Sequence, residues 1–368
     1  MTAGLLGKGV ASMQGTSAIM TRPLRGRCWN LNEQGDTGMG DCNTDLGRIP
    51  TLHVVGDSIP RAYYRAIKAV WEHGYSMRTE YDRKNAAGAF IDPPSRDARV
   101  LVEITDPFAQ PRFPPISFCE IGVYIAEIMG VKDYRVVPFD KLQDAVHGEL
   151  EAHEWPYTYH QRLFAHPDAG GSVVDQMALA VERVCATPHS RRAVATTSVP
   201  NLDPYLKEDI PCLREVQLRC PEDADGTLAL NMNTMWRSRD LYKAWGDNIV
   251  ALTFLQQVLA RQIAEKTGRK VRVGSYADYS CSLHIYGQDF GAVGGSAERG
   301  LKSFFDTFDE ESFVARSLPS EFAKDMLVLP QLQNLLSDRE IEQWGFPKES
   351  QDLIRSLIAD IESGVLEV

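Results

Sequence analysis

Cys212 closes the short run Ile210-Pro211-Cys212, and the chain then carries Trp236-Arg237-Ser238-Arg239-Asp240, Asn248 and His284-Ile285-Tyr286. Ser190-Arg191-Arg192 lies upstream. A thiol, several guanidiniums, an amide and an imidazole in this order suit a nucleophile working beside a bound phosphate. Arginine's planar fork donates two parallel hydrogen bonds to a phosphate. An ordinary thiol, with a pKa of about 8.5, is mostly protonated near neutral pH, and nearby guanidiniums favour the reactive thiolate. Each residue also has a plainer reading. Arg191-Arg192 could be a solvated pair at a turn, His284 a satisfied core histidine, and Asp240 the N-cap of a helix. The other cysteines (28, 42, 119, 185, 220 and 281) read as small buried hydrophobes.

The bulk composition narrows the options. A chain of 368 residues, 43% hydrophobic and 24% charged, can bury a large core. Fifty acidic against 39 basic residues give a net charge of −11, which argues against a broad nucleic-acid-binding face. An anionic substrate must then be caught by a local cluster of arginines. Seven cysteines, with no CxxC spacing, make a zinc site or a disulfide framework improbable and fit a reducing, cytoplasmic setting. No apolar run is long enough to span a membrane, and no secretory signal is visible.

These groups need elements to position them. Thr51–Val55 reads as a strand, followed by a helix that Asp57-Ser58 caps and Pro60 opens, ending at Gly74. Val100–Ile104 reads as a strand and Ile121–Met129 as a short helix carrying Glu127, with Gly130 past its end. Ser172–Cys185 reads as a helix with Ser172 and Asp175 as a capping pair. Strands are expected at Ala193–Val199, Leu213–Cys220, Leu228–Trp236, Val271–Ser275 and Ser280–Tyr286. In the third, Leu228, Leu230, Met232, Thr234 and Trp236 alternate with a partly polar set, the period of a sheet. Asp240 to Lys266 reads as a long helix closed by Gly268, and helices joined by loops follow from about 300. The expected class is α+β, a mixed β-sheet with helices packed on it. The expected divisions are an irregular extension over 1–48, a catalytic domain over 49–295 and a C-terminal helical region over 296–368.

The ordered set Ser-Arg-Arg at 190–192, Pro-Cys at 211–212, Gln217, Arg-Ser-x-Asp at 237–240, Asn248 and His-x-Tyr at 284–286 resembles the thymidylate synthases. The match is dense over about 155–290. The resemblance implies the thymidylate synthase fold, a homodimer formed through the sheet, a pyrimidine nucleoside monophosphate as substrate and 5,10-methylenetetrahydrofolate as cofactor. It implies that Cys212 adds to C6 of the pyrimidine, and that Arg237 and Ser238 hold the 5′-phosphate with Arg191 and Arg192 of the partner subunit. Asn248 would read the base, His284 and Tyr286 the sugar 3′-hydroxyl, and Asp240 would lie between nucleotide and folate. Gln217 would support the nucleotide site from its strand. Arg96 would stand for the mobile phosphate-binding arginine, with Arg83 as competitor. Glu127 would handle protons around the base, with Tyr157 or Tyr159 near the C5 proton. No metal is implied.

The chemistry also stands without the family. C5 of a pyrimidine becomes nucleophilic only after addition at C6, and a thiolate suits reversible addition. An amide both donates and accepts, so Asn248 matches the O4/N3–H edge of uracil, whereas a carboxylate would match cytosine's amino group. Departures from the family pattern are Leu213 after the cysteine, Ser282 two positions before His284, a short segment around Glu127 and a loosely similar tail, Gly364–Val368. They bear on the last step, where hydride gives a methyl group and water gives a hydroxymethyl group. A third reading is a catalytically silent nucleotide-binding homologue.

Overall fold

Alternation of apolar and polar side chains organises the centre of the protein into one mixed sheet. The computed structural model describes residues 47–116, 120–138, 141, 154–167, 172–206, 210–290 and 301–368. Within them run β1 (Thr51–Gly56), α1 (Ile59–His73), β2 (Tyr75–Met77), β3 (Ser95–Ile104), α2 (Ile121–Ile128), α3 (Tyr159–Phe164), β4 (His166–Pro167) and β5 (Val173–Val174). Then come α4 (Gln176–Ala186), β6 (Val194–Thr196), β7 (Leu213–Arg219), β8 (Leu228–Trp236), β9 (Arg239–Asp240), α5 (Trp245–Thr267) and β10 (Val271–Ile285). The C-terminal part adds α6 (Leu301–Thr307), α7 (Glu310–Ala315), α8 (Ser320–Ala323), α9 (Leu329–Leu335), α10 (Asp338–Trp344) and α11 (Lys348–Glu362).

The sheet order is β1-β3-β10-β8-β7-β6, with β2 added on β3 and β9 on β10. β1 pairs with β3 and β10 with β8 in parallel, while β3–β10, β8–β7 and β7–β6 are antiparallel. The class is α+β with helices packed on a mixed sheet.

One face is dry. Leu52, Val54, Val100, Val102, Tyr276, Leu230, Met232, Trp236, Val216, Leu218 and Ala195 are all buried there. α5 lies on this face and runs through the core, with Ile249, Leu252, Leu255, Leu259 and Ile263 buried. Gly268, in the left-handed region at φ 66°, ends it. α1 covers β1 and β3 through Ile59, Tyr63, Ile67 and Val70. The opposite face stays open: Leu101, Tyr279, Met235 and Glu215 form one row across four strands, and none is buried.

Several expected boundaries move, each for a local reason. α4 starts at Gln176, not Ser172, because Asp175 is the N-cap and accepts from the Ala178 amide at 2.8 Å. The strand expected at 193–199 keeps only Val194–Thr196, the residues that pair with β7. The two strands expected over 271–286 are one, β10, bent by irregularities at Val273/Tyr276 and Ser280/Leu283. The long helix begins at Trp245 rather than Asp240. Asp240 pairs beside His284 in β9, and its Oδ1 then accepts from the Tyr242 and Lys243 amides, so the chain turns before the helix can start.

The reading of 1–48 as an irregular extension falls almost wholly outside the described residues, as do Cys28, Cys42 and Cys119. From Leu301 onward the described chain is helical, with α7 against α1 and α9 against α2. The tail docks on α5: Glu367 and Gln257 exchange amide hydrogen bonds at 2.7 and 3.1 Å, and Leu366 and Val368 are buried.

Candidate functional site

Cys212 sits at the mouth of β7, half-buried, where the strand leaves a loop. Its carbonyl accepts from the Arg237 amide at 2.8 Å. The Arg237 guanidinium folds back over the same loop and donates to the Ile210 carbonyl from Nε and Nη2 at 3.2 and 2.7 Å. Thiol loop and arginine are thereby strapped together, which follows from the pairing of Leu213 with Trp236. Ser238 lies half-buried on the next step of the chain. Of the two tyrosines left open, Tyr159 is the one beside the thiol. Burial raises its phenol well above the ordinary value, with Tyr124 and Cys212 as the next contributors and the Leu213 backbone as its hydrogen-bond neighbour. Tyr157, named first from sequence, instead faces the Arg162 guanidinium, 5.8 Å from its ring.

Behind the thiol loop runs a buried polar chain. Asn248, in the first turn of α5, accepts at Oδ1 from Arg239 Nε (3.0 Å) and donates from Nδ2 to the Tyr124 hydroxyl (2.7 Å). Arg239 in turn pairs with Asp278 at 2.9 Å, both essentially without solvent exposure. A guanidinium has no acceptor, so the Asn248 oxygen must face it and the amide cannot flip. Tyr124 and Glu127 share one face of α2, three residues apart. Burial raises the Tyr124 phenol, and the Glu127 charge adds to the rise. Glu127 accepts from Lys132 Nζ at 3.0 Å, and that ammonium lies over the Trp155 and Trp344 rings.

His284 and Tyr286 close the other side, their rings 4.5 Å apart and edge-on. Burial raises the Tyr286 phenol, with Asp240, Tyr81, Glu80 and Cys212 adding to the rise, which places Asp240 and the thiol nearby. The Asp240 carboxyl is pushed up as burial outweighs its two amide donors. Arg96 pairs in register with Ile285 and donates to the Gly74 carbonyl at 3.2 Å. Arg83 is committed to Asp92, with contacts of 3.0 and 2.6 Å. Between the two, the neighbourhood of His284 belongs to Arg96.

Arg191, Arg192 and Gln217 lie elsewhere. Both arginines are exposed on the loop before β6. Gln217 ties that loop to the open sheet face, donating to the Arg191 carbonyl and accepting from Asn233 Nδ2, each at 3.2 Å. Within this chain these hydrogen bonds tie it to that loop and to β8. Burial pushes the Cys220 thiol up to about 11, which suits an inert hydrophobe. Among the described residues no group of three or more His, Cys, Asp and Glu side chains is placed to hold a metal ion. No described helix is long and apolar enough to cross a membrane.

Sequence reasoning passed over Tyr124, Lys132, Arg239, Asp278, Asp97 and Asp247. Two carried a readable signal: Asp278 interrupts the inward apolar row of β10, and Tyr124 stands one helical turn before Glu127. Arg239 and Asp97 depend on pairings between distant segments, whereas Lys132 meets Glu127 five residues away. Among the buried polar atoms without a hydrogen-bond partner are Asp247 Oδ1, Asp97 Oδ1 and His284 Nε2.

Residues 132–306 match the family model described as thymidylate synthase. A curated relative from Methanopyrus kandleri, provisionally named thymidylate synthase, is 28% identical over 244 residues, 66% of this chain and 97% of its own. Another of that name from Methanosarcina acetivorans is 27% identical over 251 residues, 68% of this chain and 94% of its own. The solved structure of the thermostable thymidylate synthase A from Bacillus subtilis is 19% identical with a TM-score of 0.42, covering 66% of this chain and 84% of that one.

Proposed function

Because the chain belongs to the thymidylate synthase superfamily, we propose that it transfers a one-carbon unit to C5 of a pyrimidine nucleoside monophosphate, dUMP to dTMP first. The observation that carries this reading is the placement of Cys212. A half-buried thiol lies under an arginine strap, between Tyr159 and Tyr286, and Asn248 is held at the start of the core helix.

In this reading the Cys212 thiolate adds to C6, and C5 becomes nucleophilic. 5,10-Methylenetetrahydrofolate supplies the one-carbon unit and, for a methyl product, the hydride. Asp240 fits a partner of that kind: its Oδ1 is spent on backbone amides, and its second oxygen can accept from an N–H edge. Tyr159, kept protonated by burial, donates a hydrogen bond to the base that takes the C5 proton. Glu127, with Lys132 against it, serves proton traffic at the far edge of the base. Arg237 and Ser238 hold the phosphate, with Arg96 and the partner's Arg191 and Arg192. Expulsion of Cys212 frees the product.

A second completion, in which water gives a 5-hydroxymethyl nucleotide, shares every step but the last and draws on the departures at Leu213 and Ser282.

Incubation with dUMP and methylenetetrahydrofolate, followed by mass measurement of the nucleotide, separates the two. A gained methyl group supports the first completion, and an additional oxygen supports the second. Tritium release from C5-labelled dUMP tests the shared chemistry. No release from the native protein, or undiminished release from Cys212→Ser, would rule it out.

A further inference from the structure

The sugar-facing histidine is set by a carboxylate on a neighbouring strand. Asp97 on β3 lies directly opposite His284 in the β3–β10 register. Ser282 Oγ donates to Asp97 Oδ2 at 2.7 Å and lies 3.2 Å from His284 Nδ1. A hydroxyl has a single proton, and here the carboxylate takes it. Toward the imidazole, Ser282 Oγ can therefore only accept, so Nδ1 carries the hydrogen. The Ser282 backbone also hydrogen-bonds the ring, favouring its protonated form, as a carbonyl facing N–H does. Burial keeps the imidazole neutral, holding its pKa below the ordinary value. Nε2 is then a bare lone pair, buried and without a partner.

The strand itself brings the three residues together. Between Ser280 (opposite Val100) and Leu283 (opposite Ala98), β10 holds one residue more than β3. This bulge puts Leu283 and Ile285 on the core side and turns His284 to the side of Asp97. Asp97 and His284 are 7% and 5% exposed, so the relay operates away from water and its polarity is well defined.

We infer that Asp97 is a positioning residue. Acting through Ser282, it fixes His284 as the Nδ1–H tautomer and makes Nε2 an acceptor reserved for a hydroxyl donor on the nucleotide sugar. This assignment rests on the Cys212 pocket being the nucleotide site. It also accounts for serine at 282, where the resembled family commonly has aspartate: the carboxylate is supplied from across the sheet.

The test uses full-length protein labelled with ¹⁵N-histidine. Long-range ¹H–¹⁵N spectra at neutral pH should show His284 with a protonated Nδ1 and an unprotonated Nε2. The opposite tautomer overturns the relay whatever the enzyme does. Ser282→Ala and Asp97→Asn should each give a mixture of tautomers, and Ser282→Thr, which keeps the hydroxyl, should restore the native form. On the functional side, Ser282→Ala should raise KM for dUMP about tenfold while kcat changes little, the loss of one well-aligned hydrogen bond. The 2′,3′-dideoxy nucleotide should bind the native protein about tenfold more weakly than dUMP, and that gap should close in Ser282→Ala. Equal binding of the two by the native protein overturns the sugar assignment. Failure to bind dUMP at all removes the nucleotide reading, while the tautomer spectrum still decides the relay.

Discussion

In the proposed reading, base choice turns on the Asn248 side chain. Its oxygen is pinned by Arg239, which can only donate, and its amide nitrogen is engaged by Tyr124. Cytosine needs the flipped amide, which would set N–H against N–H, so the lock supports a uracil base. Asn248→Asp beside the Arg239 cation would be ionised and would present only acceptors. Its preference should move toward dCMP by at least about tenfold, one hydrogen bond exchanged for a repulsion. Competitive binding of dUMP and dCMP checks this, and an unchanged ratio refutes the lock. Asp247, the neighbouring residue, bears on stability. Burial pushes its carboxyl up to about 7, and Oδ1 is buried without a partner. In the unfolded chain the group ionises near about 3.9. Between these values the folded state holds the extra proton, so this contribution is full below about pH 4 and lost as pH rises through about 7. Asp247→Asn should flatten the fall of thermal stability across that window. At pH 8 the variant should be more stable by on the order of 3 kcal/mol. Melting curves at a series of pH values read both, and parallel curves for variant and native protein reject the assignment.

At the level of the element, β10 does most of the positioning and was the hardest to read. Gly274 sits at its first irregularity, where an added Cβ would lie 2.0 Å from Asn231 Oδ1. That oxygen already accepts from the Ser275 amide at 2.8 Å. Gly274→Ala should therefore cost about 1–3 kcal/mol, read as a lower denaturant midpoint. In an Asn231→Ala background the same change should cost much less, and full additivity would falsify the steric account. The alternation in β8 was legible because it has no bulge, and both faces could be counted from Leu228 to Trp236. In β10 period-two counting fails. Carried on from Asp278 and Ser280, it places His284 on the core side, and the bulge at Ser280/Leu283 reverses this. Asp240 misled for a related reason. An aspartate before an apolar run reads as a helix cap, whereas here its carboxylate closes a turn and its backbone joins the sheet. Cys212, Arg237, Asn248, His284 and Tyr286 were legible as candidates because their chemical types follow one another in an ordered set. Arg239 and Asp97 were not, because their roles exist only once distant strands pair, and Asp278 showed only as a break in an apolar row.

For the whole molecule, the unexplained feature is a six-strand path with only one covered face. Leu101, Tyr279, Met235 and Val194 stay open on the other, beside polar residues such as Glu215 and Gln217. A half-open sheet of this breadth is the kind of surface a second copy covers, and two-fold symmetry would place equivalent rows against each other. Arg191 and Arg192 project from the edge of the same face, exposed, on a loop that Gln217 holds to the sheet. In a chain of net charge −11, a phosphate pocket gains most from guanidiniums delivered at close range. If the pair serves the partner's pocket, each catalytic centre is shared. An Arg191→Ala/Arg192→Ala variant and a Cys212→Ser variant should then each be inactive alone. Unfolded and refolded together in equal amounts, they should form hybrids carrying one intact centre, restoring about a quarter of native activity. Met235→Glu, which sets like charges across a two-fold contact, should yield monomers in sedimentation and lose activity with them. Recovery of nothing from the refolded mixture, or a fully active monomer, would place the whole centre within one chain.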